Sequence, residues 1–230
     1  MEQRREIGRH AVGERVLLFG PPGVGKGTQA IRLAATLRVP HVATGDILRT
    51  ALQSHTPLGR QARAFVERGE LVPDDTMVEL VRVRLAERDA ASGFILDGFP
   101  RTVSQAAALG DLLAVAGVAL DAVIVLDAPT EALVRRLSGR RICEHCQDSY
   151  HIVSRIPRTQ GICDRCGGKL IQRADDAEAT VRFRHLEYAA KTQPVIDFFN
   201  RSGWPVRVVD AIGDIDQIFG RIYAAMFWRD

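Results

Sequence analysis

Residues 15–28 read RVLLFGPPGVGKGT. The apolar run Arg15–Gly20 passes directly into a glycine-rich loop, Gly20–Thr28, and helical spacing follows over Thr28–Leu37. Continuous Val, Leu and Phe without polar alternation suits a strand buried on both faces. Glycine lets backbone N–H groups approach an anion with no Cβ in the way. The helix behind the loop adds its positive N-terminal end, and Lys26 has the length to reach a nucleotide's β- and γ-phosphates. Gly23, Val24, Gly25, Lys26, Gly27 and Thr28 are therefore the candidate phosphate contacts. The competing reading is a plain glycine turn closing a strand. It leaves Lys26 unexplained in a chain where 28 of the 31 basic residues are Arg.

Working outward, four more short apolar runs end where polar or glycine residues begin: Val39–Ala43, Phe94–Asp97, Ala122–Asp127 and Val206–Asp210. Helical spacing lies between and after them, over Asp46–Gln53, Pro57–Arg68, Asp74–Asp89, Thr102–Ala116, Pro129–Leu137, Asp176–Asn200 and Asp214–Trp228. Strands alternating with helices predict an α/β fold with a five-stranded parallel sheet in a three-layer α/β/α sandwich, built around the phosphate loop (P-loop). Two segments break the rhythm. One is a helical insertion between the second and third strands, and the other is the turn-rich stretch Gly139–Asp176, with a strand-like run at Tyr150–Val153.

The 230 residues carry 46% hydrophobic and 26% charged side chains and a net charge of +3. That balance is too mild, and too scattered, to point to nucleic acid. No stretch approaches the ~18 apolar residues that span a bilayer, so no membrane partner is expected. Residues 1–14 are polar, with Arg4, Arg5 and Arg9 interspersed with Glu2, Glu6 and Glu14, and read as an extension rather than a signal.

All four cysteines form two CxxC pairs, Cys143/Cys146 and Cys163/Cys166, with 16 residues between them. That spacing is typical of a closed four-thiolate zinc site, expected to be structural because no coordination position stays open. A redox CxxC normally opens a helix after a strand, which is not the setting here. Clustered thiols also suit a reducing compartment, so a cytoplasmic protein is expected. A segment under 40 residues has little core of its own, and metal binding supplies the missing stability.

Three further runs carry a family resemblance: Thr44-Gly-Asp-Ile-Leu-Arg49, Glu70-Leu-Val-Pro-Asp-Asp75 and Phe94-Ile-Leu-Asp-Gly-Phe-Pro-Arg-Thr102. With the loop's Gly-Lys-Gly-Thr ending, which places Gly27 where the general pattern has Ser or Thr, they resemble the nucleoside monophosphate kinases. Within that group the chain is similar to the adenylate kinases from about Arg15 to Arg221. Leu133–Arg141, Arg173–Asp176 and Thr180–Arg184 match the family's arginine motifs.

The resemblance implies transfer of a phosphoryl group between MgATP and AMP, giving ADP, by a monomer whose zinc-bearing lid closes over ATP. AMP would be surrounded by Thr44, Arg49, Glu70, Leu71, Val72, Gly98, Phe99, Pro100, Arg101 and Gln105, together with Arg173 and Arg184. Arg49 and Arg101 would hold its phosphate, and Thr44 and Gln105 would read its base. Arg136, Arg140, Arg173 and Arg184 would embrace the transferred group with Lys26 and Arg101. Ser149, Tyr150 and Gly213 would touch ATP. At this last position the chain has Asp210-Ala-Ile-Gly213 where the family has Asp-Gly. Asp97, at the end of a buried strand, would orient hydrated Mg2+. Phe99-Pro100 is expected to be cis, as in the family.

The expected organisation is an extension at 1–14, a P-loop core at 15–42, 73–138 and 177–230, an AMP-binding (NMP) insertion at 43–72 and a zinc lid at 139–176. Three alternatives stand beside it. Another nucleoside monophosphate as acceptor would be shown by faster turnover of UMP or GMP. A nucleic-acid-binding zinc ribbon is opposed by Glu144, Asp148 and Asp164 and by Tyr150 as the segment's one aromatic. A dead scaffold is opposed by the filled Lys and Arg positions.

Overall fold

The apolar runs become strands. In the computed structural model, which describes residues 14–53, 56–67, 72–173 and 176–227, the strands in chain order are β1 (Arg15–Phe19), β2 (His41–Ala43), β3 (Phe94–Asp97), β4 (Ala122–Asp127), β5 (Arg140–Cys143), β6 (Ser149–His151), β7 (Leu170–Ile171) and β8 (Val206–Asp210). The helices are α1 (Lys26–Leu37), α2 (Thr44–Gln53), α3 (Pro57–Glu67), α4 (Asp74–Leu85), α5 (Val103–Val115), α6 (Thr130–Ser138), α7 (Glu178–Glu187), α8 (Gln193–Arg201) and α9 (Ile215–Phe227). Residues 1–13, Glu70 and Leu71 lie outside the described residues.

Within the described residues the chain divides into two compact units, one of residues 14–20, 25–127 and 190–227, the other of 21–24 and 128–189. The first holds the expected parallel sheet, ordered β2-β3-β1-β4-β8. The central strands β1, β3 and β4 are short and buried on both faces, so their side chains alternate between two cores, while the edge strand β8 leaves Val208 exposed. Leu17, Phe19, Leu96, Val123 and Val125 join Leu109 of α5 and Phe199 of α8. Leu18, Ile95 and Ile124, on the opposite face, are also fully buried. Phe199 is the hub of the first core: Phe19 meets it edge-on at 5.2 Å and Trp204 stacks on it at 4.6 Å. Burying each such side chain contributes about 1.5–3 kcal/mol.

The second unit contains a three-stranded antiparallel sheet, β6-β5-β7, and the paired helices α6 and α7, joined by Val134, Leu137 and Val181.

Three departures from the periodicity have a local cause. The helix expected over Asp74–Asp89 ends at Leu85, because Glu87 turns extended at ψ 149 and a short 3-10 turn, Arg88–Ala90, follows. The helix expected over Asp176–Asn200 is interrupted by a π-turn at Tyr188–Thr192 before α8. Pro194, which has no N–H to donate, sits in the first turn of α8, where that loss costs least. The run Tyr150–Val153 stops at His151 because the His151 ring accepts the Val153 and Ser154 N–H groups through Nδ1, at 3.1 and 3.2 Å. A side chain that captures backbone donors in this way competes with the ladder.

Candidate functional site

The glycine loop leaves β1 at the C-terminal edge of the parallel sheet, where sheets of this kind hold ligands. Gly25 caps α1 at φ 98, a left-handed backbone that L side chains rarely adopt, and Lys26 opens the helix. Lys26 Nζ donates to Gly20 O at 2.6 Å. Asp97 closes β3, the strand paired with β1, and stands opposite Leu18. A Cβ on Gly27 would lie 3.5 Å from Asp97 Oδ2, so the first turn of α1 and this carboxylate are neighbours. His41 Nε2 lies 3.3 Å from the same oxygen.

Immediately after Asp97, Gly98 takes φ 83 and is packed so closely that a Cβ would stand 2.7 Å from Thr44 Oγ1 and 3.5 Å from the Arg101 guanidinium. Thr44 donates to the Gly98 carbonyl at 3.2 Å, and Arg101 Nε donates to it at 2.9 Å. Phe99-Pro100 is cis. The Arg101 N–H donates to Gln105 Oε1 at 2.8 Å, and Gln105 Nε2 donates to Asp74 at 2.6 Å. Thr44, Gly98, Arg101 and Gln105 are thus one cluster. Arg49, one turn into α2, is exposed and paired with Asp46. Val72 and Pro100 are partly and fully buried respectively, and Phe99 is 1% exposed, so its ring belongs to the core.

Asp74 was not among the expected contacts, yet it organises this cluster. Burial alone would raise its pKa, but hydrogen bonds from Ser104, Thr102 and Gln105 outweigh that and hold it below its ordinary value. Its place in the Pro73-Asp-Asp helix start was visible, its partners 28 to 31 residues away were not.

At the sheet's other end Ala211 donates to Asp127 O at 2.8 Å, and Gly213 follows at φ 126. Arg221 ties this turn down by donating to the Asp210 and Ile212 carbonyls at 2.8 and 2.6 Å. Gln29, buried in α1, donates to Ile215 O at 3.1 Å.

Gly23, Val24 and the remaining arginines fall in the second unit. Arg136 and Arg140 stand four apart in sequence, but α6 ends at Ser138 and Arg140 opens β5, so helical spacing does not relate them. Arg140 instead grips Asp176 through two hydrogen bonds, Nε at 2.8 Å and a terminal nitrogen at 2.6 Å; the Asp176 carboxylate is fully buried. Arg136 and Arg184 are half-buried and Arg173 is exposed. Arg182 bridges Glu131 and Glu178.

The four cysteines converge, with all sulfurs within 4.8 Å of one another and the closest pairs at 3.4 and 3.5 Å. Four thiolates at Zn–S about 2.3 Å on a tetrahedron stand about 3.8 Å apart, so the donor set fits a metal of that size. Gly168 passes so near that a Cβ would lie 2.8 Å from Cys143 Sγ. The Tyr150 hydroxyl lies 3.5 Å from Cys163 Sγ and accepts the Asp164 N–H at 2.8 Å. That hydroxyl, followed by backbone donors, lowers the Cys163 pKa and favours the thiolate that metals bind. Tyr150 is 3% exposed, so its ring serves the cysteine cluster, while Ser149 beside it is exposed.

Among the described residues no helix is long and apolar enough to cross a membrane. A family profile described as adenylate kinase matches residues 18–204. The chain is 45% identical to an adenylate kinase of Syntrophobacter fumaroxidans over 211 residues, covering 92% of this chain and 99% of the relative. It is 45% identical to one of Streptomyces coelicolor, covering 92% and 98%, and 47% identical to one of Symbiobacterium thermophilum, covering 92% and 97%.

Proposed function

From the premise that the chain belongs to the adenylate kinase family, we infer how its residues divide the family's reaction, the reversible transfer of the γ-phosphoryl group of ATP to AMP to give two ADP. The attacking group is an AMP phosphate oxygen, already ionised at neutral pH. A bond forms between it and the γ-phosphorus while the bond to the β-phosphate oxygen breaks, and no base is needed. Such a step depends on in-line placement and on positive charge around the moving group.

Gly25, Lys26, Gly27 and Thr28, with Gly23 and Val24, hold the ATP phosphates, and Lys26 counters charge on the β- and γ-phosphates. Asp97 would hold hydrated Mg2+, which would supply positive charge against the ATP phosphates. Arg49 and Arg101 hold the AMP phosphate, Thr44 and Gln105 face its base, and Glu70, Leu71 and Val72 line the pocket. Arg136, Arg140, Arg173 and Arg184 stabilise the transferred group, and Ser149, Tyr150 (through its backbone) and Gly213 contact ATP. Residues 139–176 form the lid that shields the reaction from water, 43–72 the AMP-binding insertion, and 15–42, 73–138 and 177–230 the core. The four cysteines hold structural zinc. Reduced thiols suit the cytoplasm, and the enzyme acts as a monomer, as is typical of the family.

One observation carries the reading: the Thr44–Gly98–Arg101–Gln105 cluster follows directly from Asp97, on the strand beside the phosphate loop. Purified protein should form ADP from MgATP and AMP, and an analogue joining two adenosines through five phosphates should inhibit it. Lys26→Ala and Arg101→Ala should each lower turnover by orders of magnitude in a folded protein. A near-normal rate from either would refute the assignment.

A further inference from the structure

Gln105 is the one amide in the acceptor cluster, and an amide reads a base by its orientation. The oxygen accepts, the nitrogen donates, and a flip exchanges the two. Here both neighbours demand the same orientation. The Asp74 carboxylate can only accept, and it takes Gln105 Nε2 at 2.6 Å. The Arg101 backbone N–H can only donate, and it takes Gln105 Oε1 at 2.8 Å. A flipped amide would set oxygen against carboxylate and N–H against N–H, and each clash leaves polar groups unpaired in a side chain 6% exposed.

Asp74 is itself held. Its other oxygen accepts from Thr102 Oγ1 at 2.6 Å and Ser104 Oγ at 2.5 Å. Thr102 also caps α5 by accepting the Gln105 N–H at 3.2 Å. These bonds keep the carboxyl ionised, and therefore an acceptor, through the neutral range.

So fixed, Gln105 keeps one N–H and one oxygen lone pair for a ligand. That pair matches a purine edge with a 6-amino donor beside an unprotonated ring nitrogen. A 6-oxo purine presents the reverse, an oxygen acceptor beside a ring N–H. We propose that Asp74 is a specificity-determining positioning residue, locking the Gln105 amide in the orientation that accepts 6-aminopurine and rejects 6-oxopurine monophosphates. The proposal rests on the reading above that Gln105 faces the acceptor base.

The test compares kcat/KM for AMP and IMP, which differ only at this edge, in the full chain with saturating MgATP. In Asp74→Asn the new side chain can donate as well as accept, so one of the two locks is lost. The AMP-over-IMP ratio should fall about 10-fold, the scale of one hydrogen bond to a charged group, while KM for ATP stays put. Gln105→Leu should take the ratio towards one. If Gln105→Leu collapses the ratio and Asp74→Asn leaves it within about 2-fold, the lock is refuted and the base-reading role of Gln105 stands. An unchanged ratio in Gln105→Leu, whatever Asp74→Asn does, refutes the placement of Gln105 at the base and the proposal with it. Should Asp74→Asn not fold, Ser104→Ala loosens the same carboxylate, and a ratio fall of about 2- to 3-fold is expected. No fall there overturns the proposal.

Discussion

Gly139 offers a substitution whose sign should reverse with its background. It ends α6 in ordinary helical geometry, φ −81 and ψ −10, so alanine brings no backbone strain. In open space Gly→Ala at such a site stabilises by about 0.4–1 kcal/mol, mostly by restricting the unfolded chain. Gly139 is not in open space. A Cβ there would press on the His151 ring, with Cε1 at 2.8 Å and Cδ2 at 3.1 Å, and Nε2 nearer still. The ring cannot swing aside cheaply, because its Nδ1 holds the Val153 and Ser154 N–H groups. Overpacking of this kind costs about 1–3 kcal/mol. Gly139→Ala alone should therefore destabilise by about 0.5–2.5 kcal/mol, whereas in a His151→Ala background it should be neutral or stabilising by up to about 1 kcal/mol. Urea unfolding of the four proteins in the double-mutant cycle gives the coupling, expected at about 1–3 kcal/mol. Additivity within about 0.5 kcal/mol would refute the steric argument.

Asp176→Asn should destabilise by about 2–3 kcal/mol, below the usual cost of breaking a buried pair because Arg140 keeps 28% of its side chain in solvent; a melting shift under about 2 °C would contradict this. Cys163→Ser should lower the melting temperature more than turnover at cool temperature and reduce bound zinc, and unchanged melting with no zinc in the wild type would defeat the structural-metal reading. Asp74 has a folded pKa below its ordinary 3.8, so its stabilising effect is complete above that value and lost as pH falls through the lower folded one. The stability gap between wild type and Asp74→Asn should accordingly be full at pH 6 and shrink below about 3.8, as followed by urea midpoints; a gap that widens on acidification would reverse the argument.

Much of the molecule could be read from local spacing alone. Residues 15–28 specify strand, phosphate loop and helix because each feature constrains only its immediate neighbours. The two CxxC pairs announce a candidate metal site for the same reason, and their sulfurs do converge. Periodicity yields to local chemistry where His151 takes two backbone donors and ends β6, and to backbone geometry at Glu87 and in the π-turn Tyr188–Thr192. What the chain order could not convey were partnerships across distance: Asp74 with Gln105, 31 residues apart, Arg140 with Asp176, 36 apart, and Gln29 with Ile215, 186 apart. A residue's type states that a carboxylate will seek a donor. Which donor it finds depends on which distant segments the fold packs together, and in the first unit the strand order β2-β3-β1-β4-β8 takes part in that choice. The candidate groups were therefore legible in the sequence, while the contacts that hold them exist only once distant segments are packed together.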